Sequence, residues 1–120
     1  MGKLRKTVEL TGMFQSKRID ALFDSGSYSN YIRSELSDGT KIEDIGYHAR
    51  RGGSYSIVAN GTLCMSDSVV FNLLKVNEHK IHDPIFIIMD GLPEDAIIGV
   101  KLMQELGIIL DLSSEEVVLK

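Results

Sequence analysis

The sequence predicts an all-β domain, a barrel or sandwich of short strands with one short helix near its C-terminal end. Eleven glycines against two prolines indicate many turns, and therefore short strands. Alternating or wholly apolar runs, bounded by small polar residues, recur along the chain. Helical spacing of apolar residues is convincing only over Val100–Leu106, where Gly107 supplies the C-terminal stop.

The N-terminal part of the chain predicts three strands and a helical turn. Thr7–Leu10 alternates, and Lys17–Phe23 begins by alternating and ends apolar, as a strand that enters a core does. The small polar residues Asp24–Ser27 stop that second strand. A short strand over Asn30–Ile32 and a helical turn over Ser34–Leu36 are expected to follow.

A β-hairpin is predicted in the middle of the chain. Ser54–Val58 and Thr62–Met65 are strand-like, and Ala59-Asn60-Gly61 lies between them. Asn-Gly between two such runs is a strong hairpin signal, because both residues tolerate a positive φ.

The remaining strands lie in the C-terminal half. Val69–Val76 and Pro84–Met89 are predicted strands, separated by the polar segment Asn77–Asp83. The second of them is apolar on both faces and should lie centrally in its sheet. Ile108–Leu110 and Val117–Leu119 flank a polar turn and predict a terminal hairpin.

Length and charge limit the organisation and the partners of this protein. A chain of 120 residues fits a single domain over 1–120, and it is long enough to bury roughly two-thirds of its unfolded surface. Lysine and arginine number 13 and aspartate and glutamate 17, which gives a net charge of −4. This mild acidity argues against nucleic acid or an anionic membrane surface as the main partner.

The cysteine count and the N-terminus suggest a cytoplasmic protein. Cys64 is the only cysteine, so no intrachain disulfide can form, which fits a reducing compartment. No run approaches the roughly 18 apolar residues of a membrane span. Met1–Lys6 is charged and has no apolar run behind it, so no signal peptide is expected.

Two segments carry the functional signal. Ala21–Ser27 reads Ala-Leu-Phe-Asp-Ser-Gly-Ser, and Ala96–Gly99 reads Ala-Ile-Ile-Gly directly before the predicted helix. With the glycine-tipped hairpin between them, they make the chain from Thr7 to Leu112 resemble the retropepsin family of retroviral-type aspartic proteases. The resemblance implies a closed barrel or sandwich of short strands, with a flap hairpin and one short C-terminal helix.

The resemblance also implies an aspartic endopeptidase that is active as a homodimer. In that chemistry one ionised carboxylate activates water and a protonated one donates to the peptide carbonyl, as is known for aspartic proteases. This chain has a single Asp-Ser/Thr-Gly triplet, so each of two chains would supply one Asp24. The expected partners are a peptide substrate and a second copy, and neither a metal nor another cofactor is required.

Roles for individual residues follow from the same resemblance. Asp24, Ser25 and Gly26 are the expected catalytic triplet. The expected substrate-binding residues are Ser27, Ile57, Val58, Ala59, Asn60, Gly61 and Ile97, and Ile57–Leu63 is the expected flap. Viral members often carry an Arg after Ile-Ile-Gly, paired with an acid just beyond the triplet. Here those positions hold Val100 and Tyr28, so the support of the active-site loop must be apolar or differently arranged.

Other interpretations remain open at this stage. The domain could be a non-catalytic peptide-binding or dimerisation module that keeps the protease fold. Asp24-Ser25-Gly26 could be an ordinary strand-ending turn, since all three residue types form turns. His79 and His82 have a spacing that occurs in metal sites, but a solvated hairpin is the simpler expectation because no third ligand is evident.

Overall fold

The computed structural model describes residues 3–50, 54–57, 63–111 and 116–119, with side chains for residues 3–50 and 67–107. The predicted all-β class with one short C-terminal helix is confirmed. The elements are β1 (Lys3–Thr11), β2 (Ser16–Asp24), β3 (Tyr31–Ile32), α1 (Ile42–Ile45), β4 (His48–Ala49), β5 (Ser54–Ile57), β6 (Leu63–Ser66), β7 (Ser68–Val70), β8 (Leu73–Val76), β9 (His79–His82), β10 (Ile85–Ile88), β11 (Ala96–Gly99), α2 (Val100–Leu106), β12 (Ile108–Asp111) and β13 (Glu116–Leu119).

One sheet dominates the fold. Its nine strands follow the order β4-β7-β10-β3-β11-β2-β1-β8-β9 and curl into a half-barrel. The pairs β5–β6 and β12–β13 form separate two-stranded sheets. β11 is inserted between two strands from the first third of the chain: it runs parallel to β2 and antiparallel to β3. This insertion brings the two segments that carried the sequence signal side by side.

The strand alternation of β2 builds the core directly beneath the triplet. Ile19, Ala21 and Phe23 are buried at every second position, and Phe23 has no exposed surface. Successive side chains of a strand point to opposite faces, so Asp24 lies on the face opposite Phe23. Burying a phenylalanine contributes roughly 1.5–3 kcal/mol, which makes the end of β2 a firmly anchored position.

A stack of three aromatic rings fills the other side of the core. Phe71 packs edge-on against Tyr47 at 5.9 Å and against Phe86 at 5.7 Å between ring centroids. Edge-to-face pairs of this kind are favoured by the ring quadrupoles. Because Phe71 lies between β7 and β8, the stack ties the start of β8 to β10.

The connection after β1 is locked against α1 by backbone contacts. The amides of Met13 and Phe14 donate to the carbonyls of Gly46 and Ile45 at 3.2 and 3.0 Å. A Cβ on Gly12 would lie 2.1 Å from the carbonyl oxygen of Gly46, so only glycine allows this approach.

Two acidic side chains tie the loop after β3 to the loop before β11. The amide and hydroxyl of Ser34 donate to Oδ1 of Asp90 at 2.9 and 2.7 Å. The amide of Ser37 donates to Oδ1 of Asp95 at 2.8 Å, and its hydroxyl donates to Oδ2 at 3.0 Å. The pKa of Asp90 lies below the ordinary value, because both bonds favour the ionised carboxylate. The hydroxyl of Ser34 has the larger effect and its amide the smaller one.

The predicted helical turn over Ser34–Leu36 is wrong. Glu35 forms an isolated β-bridge with Lys41, and the helical turn comes later, as α1. The physical reason is the bonding just described. Serine side chains and amides that bond to distant carboxylates leave the local chain without helical hydrogen bonds.

The predicted strand Val69–Val76 is in fact two strands at different places in the sheet. β7 pairs with β10 and β4, whereas β8 pairs with β1 and β9. The break falls at Phe71 and Asn72, whose amides donate to the carbonyls of Pro84 and Thr11. The polar segment 77–83 contains β9, with Asn77 and Asp83 at positive φ beside it, so His79 and His82 lie in a hairpin strand as the simpler interpretation expected.

The other predicted elements are confirmed. β5 pairs with β6, β12 pairs with β13, and β10 is an interior strand of the large sheet. α2 spans the predicted residues, and Gly107 ends it in the left-handed conformation with a φ of 67°. The tip of the β5–β6 hairpin, residues 58–62, lies outside the described residues. Among those that are described, no helix has the length and apolar character needed to cross a bilayer.

Replacing Gly12 by alanine tests the backbone contact with α1. We expect Gly12→Ala to lower the free energy of unfolding by about 1–3 kcal/mol, because the new Cβ must displace two carbonyl groups. Chemical denaturation measures this. Gly39→Ala is the control: its Cβ meets nothing within 4 Å, and only its φ of +89° costs roughly 1 kcal/mol. Equal losses in the two variants would contradict the contact.

The contact between Ser34 and Asp90 predicts a pH effect on stability. Because the folded-state pKa of Asp90 is lowered, its contribution is present above the unfolded-state value of about 3.9 and is lost as the pH falls below it. Asp90→Asn should therefore flatten the loss of stability between about pH 5 and pH 3. Denaturation curves across this range measure the slope. Glu78→Gln, in the turn before β9, should leave the slope as in the wild type.

Candidate active site

Asp24 is the last residue of β2, a strand that buries one of its two faces. Its side chain is half-buried, next to the fully buried Phe23. The Gly26 amide donates to Oδ1 of Asp24 at 2.9 Å, and the Ser27 amide donates to its carbonyl oxygen at 3.0 Å. These two bonds orient the carboxylate and close a tight turn over residues 24–27.

The turn interpretation and the catalytic interpretation of the triplet are therefore compatible. The hydrogen bond from Gly26 is the local one that an aspartate at the start of a turn forms. It occupies Oδ1 of Asp24 from one side, and the half-exposed side chain can meet a further group from solvent or from another chain. A turn of this kind is a way to present a carboxylate, and it does not by itself decide the function.

Gly99 lies beside Asp24 in the neighbouring strand. The parallel register of β2 and β11 pairs Asp24 with Gly99 and Phe23 with Ile98. A Cβ on Gly99 would come within 2.4 Å of the carbonyl oxygen of Ser29 and 2.6 Å of that of Tyr28. Only a glycine lets the loop after Asp24 lie this close to β11, which explains the glycine of the Ile-Ile-Gly segment.

The start of α2 holds the same loop by its free amides. The Val100 amide donates to the carbonyl of Ser27 at 2.6 Å, and the Lys101 amide donates to that of Tyr28 at 3.3 Å. Amides in the first turn of a helix have no partner within the helix. Here they bind the loop after Asp24, and no side chain caps the helix at Gly99.

Tyr28 and Lys101 interact at the outer edge of the loop. The Tyr28 side chain is 66% exposed, and Nζ of Lys101 lies 5.9 Å from the centre of its ring. This is a cation–π contact, worth roughly 0.5–1 kcal/mol at an exposed site. Val100 is half-buried and packs against the core. The loop after Asp24, whose support was predicted to be apolar or differently arranged, is thus held in part by backbone hydrogen bonds from α2. The apolar contact of Val100 and the Tyr28–Lys101 pair add to them.

Asn30 connects the end of the loop to two strands. Its Oδ1 accepts the Gly99 amide at 2.9 Å, and its Nδ2 donates to the carbonyl of Ile85 at 3.1 Å. Its own carbonyl accepts the Ile87 amide at 2.9 Å. The sequence analysis missed Asn30. The available signal was the absence of the Arg–acid pair, which implied a different support for the loop without showing which residue supplies it.

The remaining predicted site residues lie in two places. Ile97 is half-buried in β11 and pairs with Leu22 and Tyr31, so it can contribute to a pocket wall as well as to packing. Ile57 ends β5, opposite Leu63 of β6. The other residues of the expected flap that were assigned to substrate binding, namely Val58, Ala59, Asn60 and Gly61, lie outside the described residues.

A groove of about 240 Å³ adjoins the loop after Asp24. It is lined by the loop from Tyr28 to Asn30, by α2 and by the turn between β9 and β10. Asp24 does not line it.

Comparison with solved structures places the fold among aspartic-protease domains. The retroviral protease-like domain of Ddi1 from Leishmania major superposes with a TM-score of 0.61 at 12% identity, covering 100% of this chain and 90% of that one. A retropepsin-like aspartic protease from Rickettsia conorii superposes with a TM-score of 0.56 at 12% identity, covering 92% of this chain and 76% of that one. At this identity the likeness establishes the retropepsin-like fold.

A comparison with curated protein sequences finds no match. A family model described as aspartyl protease matches residues 8–102, which include the triplet at Asp24, the Ile-Ile-Gly segment and the start of α2. This range is most of the chain, and the two structural likenesses agree with it. The protein belongs to the aspartyl protease family and has the retropepsin-like fold.

Proposed function

We propose that this protein is an aspartic endopeptidase that hydrolyses peptide bonds as a homodimer, with Asp24 of each chain as the catalytic carboxylate. The observation that carries the proposal is the placement of Asp24. It is a half-exposed carboxylate directly after the fully buried Phe23; the Gly26 amide orients it, and β11 and α2 hold its loop. Such preorganisation is what general acid–base catalysis requires of its carboxylates.

The need for two chains follows from the chemistry. One carboxylate must be ionised to take a proton from water, and another must be protonated to donate to the carbonyl oxygen. The chain contains one Asp-Ser/Thr-Gly triplet, so the second carboxylate comes from a second copy. Two carboxylates about 3 Å apart repel by roughly 5 kcal/mol at an effective dielectric of about 20, so the pair keeps one shared proton.

In this mechanism water attacks the peptide carbonyl carbon while the ionised Asp24 takes a proton from the water. The protonated Asp24 of the other chain donates to the carbonyl oxygen. The tetrahedral intermediate then collapses: one of its hydroxyl groups returns a proton to the ionised carboxylate, the protonated carboxyl gives its proton to the leaving nitrogen, and the carbon–nitrogen bond breaks. Ser25 holds the loops rigid. Gly26 lets the substrate backbone approach closely. The two products leave with the pair again sharing one proton.

The substrate in this proposal is an extended peptide. Ser27 and Ile97 form part of the wall next to Asp24, and Ile57 through Leu63 closes over the peptide as a flap. An extended peptide bound in this way adds a strand, so that backbone hydrogen bonds supply affinity and side-chain pockets supply specificity. Apolar side chains near the scissile bond suit Ile97.

Replacing Asp24 by asparagine tests the catalytic role. We expect Asp24→Asn to reduce cleavage of a diverse peptide library by at least roughly 1,000-fold, since removing an essential acid–base group costs factors of this size. Mass spectrometry from acid to neutral pH measures cleavage and its site preference. Asp20→Asn, at an exposed position of the same strand where the carboxylate accepts the Thr7 hydroxyl at 2.9 Å, should retain activity.

Two outcomes would contradict the catalytic role. One is activity of Asp24→Asn equal to that of the wild type. The other is the absence of cleavage by a wild-type protein that is folded and dimeric in the same buffer. The second result would favour a non-catalytic peptide-binding or dimerisation module with the same fold, and pull-down with the uncleaved library would then identify its ligand.

The shared proton predicts an effect of the same variant on dimerisation. At neutral pH, bringing the two carboxylates together costs either their mutual repulsion or the uptake of the shared proton, and Asp24→Asn removes this cost. We therefore expect the dissociation constant of the variant dimer to be several-fold lower than that of the wild type at pH 7. The difference between the two constants should shrink near pH 4. Sedimentation equilibrium measures both. A dimer whose dissociation constant is unaffected by the variant at every pH would argue against a facing pair of Asp24 side chains.

A further inference from the structure

The loop that follows Asp24 is attached to the sheet at its far end by a single side chain. Oδ1 of Asn30 accepts a hydrogen bond from the Gly99 amide at 2.9 Å, and its Nδ2 donates to the Ile85 carbonyl at 3.1 Å. Its backbone carbonyl also accepts the Ile87 amide. One residue therefore joins the loop to β11 and β10, which approach it from two directions.

The chemistry of the two partners requires an amide at this position. The Gly99 amide can only donate, and the Ile85 carbonyl can only accept. The side chain between them must therefore accept with one atom and donate with another, in a planar arrangement about as wide as a carboxamide. An ionised carboxylate of the same shape could accept from Gly99 but would face the Ile85 carbonyl with a second acceptor. This requirement also fixes which end of the Asn30 amide is the oxygen.

The site of attachment controls the surroundings of Asp24. Gly99 is the register partner of Asp24 in the neighbouring strand. It also precedes α2, whose first amides hold the carbonyls of Ser27 and Tyr28. A shift of Gly99 would therefore move both the strand beside Asp24 and the helix start that binds its loop. At this end of the loop there is no Arg–acid pair, since the corresponding positions are Val100 and Tyr28.

We propose that Asn30 is a positioning residue for catalysis, an uncharged clamp that sets the spacing of the Asp24 loop from β11 and α2. The inference rests on the proposed peptidase function and deepens it. Because the clamp carries no charge, it keeps its hydrogen bonds from acid to neutral pH, the range over which a carboxylate pair exchanges its proton. A charged brace would change its interaction with the pair whenever the protonation of the pair changed.

The groove beside the loop surrounds Asn30 with groups of both signs. The charged or titratable side chains that line it are Tyr28, Arg50, His82, Asp83, Lys101 and Glu105. The arginine and lysine are balanced by the aspartate and glutamate in formal charge. A carboxyl group introduced at position 30 would thus respond mainly to its two hydrogen-bonding partners. The Ile85 carbonyl favours its protonated form, which can donate, and the Gly99 amide can donate to either form.

Asn30→Asp is the test, because it keeps the shape and makes the clamp pH-dependent. We expect the ratio of kcat/KM of this variant to that of the wild type to fall to about one-tenth or less at pH 7–8. Near pH 4 the introduced carboxyl is protonated and donates to Ile85, and the ratio should recover to within about threefold of unity. The loss should appear mainly in kcat, because the clamp positions Asp24 and does not touch the peptide.

Asn72→Asp is the matched control. Its side-chain amide donates to the Gly12 carbonyl at 3.4 Å, in the connection between β7 and β8. The same chemical change there should leave the ratio to wild type constant with pH. Thermal unfolding of all three proteins at each pH separates activity from folding. A ratio for Asn30→Asp that does not change with pH, or that merely follows the folded fraction, would overturn the positioning role.

A second measurement does not depend on activity, and its wild-type part does not depend on the variant. In the wild type, NMR hydrogen exchange should show slow exchange of the Gly99 amide and of one Asn30 side-chain proton. In Asn30→Asp, the chemical shift of the Gly99 amide should titrate with the introduced carboxyl. Fast exchange of both wild-type protons would overturn the clamp itself. If the wild type cleaves no peptide but these protons are protected, the clamp stands and the proposed function fails.

Discussion

The parallel pairing of β11 with β2 is the interaction on which the rest of this structure depends. It joins segments about seventy residues apart and sets Phe23 beside Ile98 and Asp24 beside Gly99. The two pairs serve different purposes. Phe23 and Ile98 are both fully buried and stabilise the pairing by apolar burial. Asp24 and Gly99 lie one residue further on, where the core ends. The carboxylate thus takes its position from the hydrophobic packing of its predecessor in the chain.

The loop after Asp24 is held almost wholly by backbone groups. The first amides of α2 bind the carbonyls of Ser27 and Tyr28, and Gly99 has no side chain to keep the two segments apart. A helix of seven residues is too short to be stable alone, so tertiary contacts must stabilise it. Helix and loop therefore support each other: the loop caps the helix, and the helix fixes the loop. Asn30 completes this arrangement at the far end of the loop, because its carboxamide accepts from Gly99 with one atom and donates to Ile85 with the other.

Sequence patterns predicted the elements whose residues bear their own signal. A local conformational preference is visible in the alternation of Lys17–Phe23, in the Asn-Gly hairpin and in Gly107 after Leu106. The corresponding strands and helix end are present. Patterns failed where long-range bonds override the local preference. Val69–Val76 is apolar enough for one strand, yet Phe71 and Asn72 bond to Pro84 and Thr11 and divide it. The segment Ser34–Leu36 is held by distant carboxylates, which no local pattern records.

By itself, the sequence determined the fold class, the family resemblance and the position of the Asp-Ser-Gly triplet that begins at Asp24. Composition, strand periodicity and the Asp-Ser-Gly and Ile-Ile-Gly segments are local properties, readable along the chain. Only the tertiary structure decided that Gly99 lies beside Asp24, that α2 binds the loop with its amides, and that Asn30 joins that loop to two strands. These facts depend on strand register and on the approach of backbone groups distant in sequence. A hydrogen bond between a side chain and a remote backbone group leaves no periodic trace in the sequence, and so only the folded chain reveals it.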